Sequence, residues 1–223
     1  MDFETNLLKR EGGPRLDIEA EYVDFVPAEF KDDPLGYVEV HGKNMRSGEI
    51  QKDETGKIRE DPTAVKELPA WMNARNEKLE TVAKRINVDK AKIRKFSDPF
   101  YEYKMMKIVL AAGLPAAKPI AQVELGDSYL LIMEKLPGIG WHEKGISQLR
   151  EAGCSEEDIK DIERQALEMI PPLREKFEKE GVRRRWYLKD MILNIDFARK
   201  RVINITPIDW ERAKIEEEET PED

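Results

Sequence analysis

Between residues 98 and 208 the apolar positions recur with two different periods, and the changes of period mark out elements. From Tyr101 the period is helical. On a 100° wheel Tyr101, Met105, Met106, Ile108, Val109 and Ala112 fill one arc, and Lys104 and Lys107 lie opposite. Asp98-Pro99 supplies the start, an N-cap acid followed by proline at the first helical position. Gly113-Leu114-Pro115 supplies the stop. Pro119–Val123 and Tyr129–Met133 then read as two strands around a Gly126-Asp127 turn. Ser155 opens a second helix whose apolar positions 159, 162, 166, 169 and 170 keep helical spacing. Pro171-Pro172 is expected to break or kink it, because proline lacks the N–H donor and crowds the preceding turn. A further helical piece with Leu173 and Phe177 should end at Gly181. Val202–Ile208 is strand-like.

Upstream of residue 80 the pattern is weaker. Turn signals stand at Gly12-Gly13-Pro14, Asp33-Pro34 and Glu54–Lys57. Gly36–His41 alternates like a strand, with Glu49–Lys52 as a hairpin partner across Gly42–Gly48. Asp61–Leu79 reads as helical or irregular, and Leu79–Ile86 as a short strand. No internal repeat is visible.

Composition narrows the function classes. The 223 residues are 40% hydrophobic and 38% charged, enough for a folded chain of one sizeable domain or two small lobes. The single cysteine, Cys154, excludes an internal disulfide framework, and two histidines, His41 and His142, cannot build a zinc site of the usual spacing. A net charge of −8 disfavours nonspecific nucleic-acid binding, which needs Lys and Arg against phosphates. There is no membrane-length apolar run, and the acidic start Met1-Asp2-Phe3-Glu4 is unlike a signal peptide, so a cytoplasmic protein is expected. The acidic stretch 216–223 reads as a solvated tail.

Against this background a few polar residues stand out. Asp190 and Asp209 lie 19 positions apart, each beside an apolar β-type segment, with Asn194 between them. Mg²⁺ prefers one or two carboxylates together with phosphate oxygens, and phosphoryl transfer needs a carboxylate to orient the attacking hydroxyl. Two turn acids flanking a hairpin are the plainer alternative. Glu102 falls inside an apolar helical arc, where a carboxylate is costly unless paired. Lys84, 18 positions earlier on the Leu79–Ile86 strand, is its candidate partner. Lys92 and Lys95 compete, but leave little room for a strand end, a loop and a helix start. A glutamate reaching water from the edge of the arc is the alternative. Arg183-Arg184-Arg185 can hold an anion or serve as a solvated connector.

Lys189-Asp190, Asn194 and Ile208-Asp209-Trp210-Glu211 resemble the catalytic and metal-binding loops of the protein-kinase-like superfamily, most of all its aminoglycoside and lipopolysaccharide-core phosphotransferase branch. The resemblance covers roughly residues 80 to 215. It implies an α+β, two-lobed fold, with a strand-rich N-lobe over 1–131, a mainly helical C-lobe over 132–215 and the tail beyond. It implies ATP and Mg²⁺ as cofactors and a hydroxyl acceptor on a protein or small molecule. In these terms Lys84 and Glu102 would fix the phosphates, and backbone from Glu134 to Leu136 would bind adenine. Asp190 would be the catalytic base, and Asp209 and Asn194 the metal ligands. The chain departs from the family at four places. Leu188-Lys189-Asp190 stands for His-Arg-Asp or His-Gly-Asp; Asn194 follows the aspartate by four residues rather than five; Glu211 replaces a glycine; and Gly42–Gly48 is the best available phosphate loop. Those departures keep open a pseudokinase, or a nucleotide-binding scaffold without turnover, and beyond it an interaction protein whose acid pair is accidental.

Overall fold

The computed structural model describes residues 5–9, 15–22, 25, 63–72, 75, 77–87, 101–124 and 128–215. The expected strands at 36–41 and 49–52, the candidate phosphate loop at 42–48, the Asp98-Pro99 start, the Gly126-Asp127 turn and the tail lie outside them.

The protein is α+β and divides into two compact units. The first takes Met1–Lys104 and Lys118–Lys135, the second Met105–Ala117 and Leu136–Asp223. In chain order the elements are β1 (Thr5–Lys9), β2 (Arg15–Glu19), a 3₁₀ turn (Ala20–Tyr22), β3 (Thr63–Met72), β4 (Lys78–Asn87), α1 (Tyr101–Ala111), β5 (Pro119–Glu124) and β6 (Ser128–Glu134). There follow β7 (Ile139–Gly140), α2 (Glu143–Glu151), α3 (Glu156–Lys179), β8 (Val182–Arg183), a 3₁₀ turn (Leu188–Asp190), β9 (Met191–Asp196), β10 (Arg201–Pro207) and β11 (Lys214–Ile215).

The first unit is built on a six-stranded antiparallel sheet in the order β1-β2-β5-β6-β4-β3. One face carries a core of Ile18, Tyr22, Ala83, Ile120, Ala121, Val123, Leu130 and Ile132, with Phe25 and Leu79 packed against it. The strand over Thr63–Met72 corrects the helical or irregular reading of 61–79. Its alternation is interrupted at Pro69, where the pairing with β4 shifts register between Leu68 and Trp71. Proline donates no ladder bond, and an irregularity in an edge strand is where a sheet tolerates it.

In the second unit β10-β9-β7 form a three-stranded sheet, and β11 pairs with β8. Met191, Leu193 and Ile195 point from β9 into a core with Leu149, Ile159, Ile162, Ala166, Val202 and Ile205. A register shift between Val202 and Asn204 explains why the inward residues of β10 are spaced by three. Helix α3 starts with a capping box. The Ser155 hydroxyl accepts from the Asp158 N–H, and the Asp158 carboxylate accepts from the Ser155 N–H. Gln165 ties this helix to the hairpin, accepting from the Val202 N–H at 3.0 Å and donating to the Lys200 carbonyl at 3.2 Å.

Pro171 and Pro172 do not end α3, which continues to Lys179. Both prolines are exposed, as are Leu167 and Glu168, whose carbonyls lose their N–H partners on the exposed side of the helix. The helix ends as expected, with Gly181 in the left-handed region at φ 68°. Helix α1 also ends as expected. The Leu114 N–H reaches the Val109 carbonyl and the Gly113 N–H that of Leu110, with Gly113 at φ 71°. The wheel at α1 needs correction at three places: Ile108 is 43% exposed, Ala112 is exposed, and Tyr103 is buried. After β6 the chain passes Gly138, at φ 126°, where any Cβ would collide with the Leu193 carbonyl. At Gly145, in the first turn of α2, a Cβ would collide with the Gly140 carbonyl. Among the described residues no helix is long and apolar enough to cross a membrane.

Candidate functional site

In the first unit Lys84 and Glu102 meet. Ala83 points into the core of the sheet, so strand alternation sends Lys84 out of the opposite face. β4 is an interior strand, and Lys84 is paired with Val65 on one side and Leu131 on the other. Glu102 comes from the first turn of α1, where an acid also suits the helix dipole. Lys84 Nζ donates to Glu102 Oε2 at 2.7 Å, with the residues 6% and 4% exposed. A second tether from the same turn runs from the Tyr103 hydroxyl, which donates to the Glu19 carboxylate on β2. The helix start is thereby fixed to the sheet by two polar contacts.

The segment after β6 is tied to its own unit. The Glu134 N–H donates to the Lys118 carbonyl at 2.9 Å, and the Lys135 N–H to the Glu80 carbonyl at 2.8 Å. Two of the three N–H groups from Glu134 to Leu136 are therefore committed to protein carbonyls.

In the second unit the hairpin of β9 and β10 brings Asp190 and Asp209 to one strand end. Asp190 closes the 3₁₀ turn just before β9, and Asp209 lies two residues past β10. Met191 pairs with Pro207, and the Ile208 N–H donates to the Asp190 carbonyl at 2.9 Å. Asp209 sits in the left-handed region at φ 65°, which residues with a Cβ adopt at a cost and which clusters at functional positions. Burial and the Asp209 charge push the Asp190 carboxyl above the usual carboxylate range, against the opposing charges of Lys189, Arg184 and Arg212. Two hard oxygen donors that repel each other suit a divalent cation such as Mg²⁺.

Asn194 is not brought to that end. It lies within β9, paired with Asn204, three residues along the strand from Met191, which follows Asp190, or about 10 Å at ~3.4 Å per residue. The residues that anchor the strand end instead are Arg184, Trp186, Trp210 and Phe177, a role the sequence does not show; Arg184 stands out there only within the triplet that could hold an anion. Arg184 Nη2 donates to the Ile208 carbonyl at 2.8 Å. Its guanidinium lies 4.7 Å from the Trp210 ring centroid and 5.5 Å from that of Trp186. Trp210, 1% exposed, stacks on Phe177 at 5.8 Å. The available signal was an arginine two residues before one tryptophan, with another tryptophan directly after the candidate metal ligand. Within the triplet Arg183 and Arg185 are exposed, and Arg184 is half-buried.

No protein-family model matches the sequence, and no curated protein matches it. Solved structures of the bifunctional kinase-methyltransferase WbdD are similar to it. One is 19% identical over 66% of this chain, with a TM-score of 0.41. Another is 16% identical over 78%, with a TM-score of 0.44. A co-crystal of WbdD with the kinase inhibitor LY294002 is 18% identical over 66%, with a TM-score of 0.42. This chain covers 30 to 34% of their length.

Proposed function

We propose that the protein is an ATP- and Mg²⁺-dependent phosphotransferase with a two-lobed, protein-kinase-like fold, acting on a hydroxyl acceptor. The observation that carries this reading is the buried Lys84–Glu102 pair. A buried lysine held by a helix glutamate against an antiparallel sheet would be a preorganised cation for the phosphates of a nucleotide. Residues 1–131 would form the N-lobe and 132–215 the C-lobe. Asp209 would hold the metal, which supplies charge neutralisation on the phosphates when bound. Asp190 would orient the acceptor hydroxyl and take its proton. The Glu134 carbonyl and Leu136 amide would read adenine.

A nucleotide without turnover is the second reading, and the place of Asn194 opposite Asn204 favours it, because a second metal contact beside Asp209 then has to come from elsewhere. Calorimetry with ATP, with and without Mg²⁺, followed by a phosphate-release assay, decides among the readings. Metal-dependent binding with turnover supports the phosphotransferase. Binding with no turnover over several divalent metals supports the scaffold, and no nucleotide binding at all rejects both.

A further inference from the structure

The sequence allows the arginine triplet before the Asp190 turn to be an anion site, yet the guanidinium of Arg184 is directed into its own unit. Nη2 donates to the Ile208 carbonyl at 2.8 Å, Nε donates to the Arg185 carbonyl at 3.1 Å, and the planar group lies against Trp186 and Trp210. We infer that Arg184 is a positioning residue that holds Asp209 in its left-handed backbone conformation and so keeps the Asp209 carboxylate at the strand end shared with Asp190.

The argument runs through the two residues flanking Asp209. Ile208 has both backbone polar groups engaged: its N–H donates to the Asp190 carbonyl, and its C=O accepts from Arg184. Fixing that carbonyl fixes the peptide plane between residues 208 and 209, and with it one side of the φ rotation of Asp209. On the other side Trp210 is buried, its ring lying against both Phe177 and the Arg184 guanidinium. For Asp209 to relax from φ 65° to an ordinary extended value, either the 208–209 peptide must turn or the Trp210 ring must leave its place. Arg184 opposes both movements, one with a charge-assisted hydrogen bond and the other with a cation–π contact. A lysine cannot do both, because it lacks the planar fork.

The backbone part of this inference stands alone; its bearing on metal binding rests on the role proposed for Asp209. The decisive experiment therefore uses ligand-free protein. Asp209→Ala and Asp209→Gly are compared by thermal unfolding of the full chain, with Arg184 intact and with Arg184→Met. Both substitutions remove the charge, and only glycine is free of the left-handed penalty. With Arg184 intact the glycine variant should melt about 2–4 °C above the alanine variant, a difference of this size being expected in a chain of this length. With Arg184→Met the gap should close. An unchanged gap overturns the inference. Should Arg184→Met fail to fold, Arg184→Lys replaces it; the gap should then shrink, and an unchanged gap again overturns the idea.

A second measurement reads the consequence at the site. In Arg184→Met the Mg²⁺-dependent tightening of ATP binding should fall about tenfold, with the affinity for metal-free ATP unchanged and part of the loss restored in Arg184→Lys. An equal loss of metal-free affinity would instead make Arg184 a phosphate contact and overturn the positioning role. If the unmodified protein binds no ATP, the proposed function fails, and the alanine–glycine comparison still decides the case for Arg184.

Discussion

In the first unit a lysine and a glutamate are buried together and satisfy each other, whereas in the second two aspartates share a strand end and repel. The Lys84–Glu102 pair attracts, and its hydrogen bond fastens the first turn of α1 to the sheet. The Asp190–Asp209 pair carries unfavourable terms, namely a carboxyl pushed up by burial and a like charge, and a left-handed backbone at Asp209. Surrounding structure imposes these terms through the Ile208 hydrogen bonds and the Trp210 stack. The difference separates a pair held together by attraction from one held against repulsion, which a bound cation would relieve.

The largest effect should come from breaking the attracting pair. Lys84→Met removes the cation that donates to the buried Glu102 carboxylate and should cost about 3–5 kcal/mol, read by urea unfolding. The double variant Lys84→Met/Glu102→Leu should recover most of that loss, since a well-packed apolar pair replaces a buried ion pair at little cost. A mild single variant would show that Glu102 does not depend on Lys84.

The repelling pair should respond to ligand more than to mutation. Mg²⁺ with ATP at a hundredfold excess over its dissociation constant should stabilise the unmodified protein by about 2.7 kcal/mol. Asp209→Asn should keep the fold and lose that stabilisation. Asp190→Asn should keep it and lose turnover; loss of the metal effect in both variants would make the two aspartates joint ligands.

A control in the second unit sets the scale for a purely structural contact. Ser155→Ala removes one arm of the capping box of α3 and should cost about 1 kcal/mol, equally with and without Mg²⁺ and ATP. A cost that changes with ligand would couple α3 to the site.

The smallest effects lie in pH dependence, and here two aspartates of the second unit should behave oppositely. Because the Asp190 carboxyl is raised in the folded chain, stability is full below the ordinary aspartate value and declines as pH rises through the folded one. Asp190→Asn should therefore raise the melting temperature at neutral pH, with the gain fading in acid. Asp158 is lowered to about 2 by its hydrogen bonds to Lys200 and Ser155. Its contribution is present above the ordinary value and disappears as pH falls toward 2, so Asp158→Asn should be harmful at neutral pH and harmless in strong acid. Melting curves of both variants across the acid range read the two signs directly.

The sequence made the second unit more legible than the first, for physical reasons. α3 shows its start in Ser155, its period in Ile159, Ile162 and Ala166, and its end in Gly181, all local signals. The prolines misled because their cost depends on whether the orphaned carbonyls meet water, which is a tertiary fact. The sheet of the first unit pairs β2 with β5 and β4 with β6, across long separations that leave little local trace. In β3 a proline sits where the register shifts. The Lys84–Glu102 contact was readable because a carboxylate in an apolar arc demands a partner. The role of Arg184 was not, because its partners are a backbone carbonyl and rings brought together only by the fold.

One consequence follows from the glycines that let the backbone close up beside β9. A side chain at Gly138 would strike the Leu193 carbonyl, and one at Gly145 would strike that of Gly140. These clashes are with main chain, which cannot step aside as a flexible side chain can, so both positions should be nearly closed to substitution during divergence. In related chains the two glycines, seven positions apart, should accordingly keep their interval while the residues between them change. A lineage traced by that interval pattern would be following places where the main chain leaves no room.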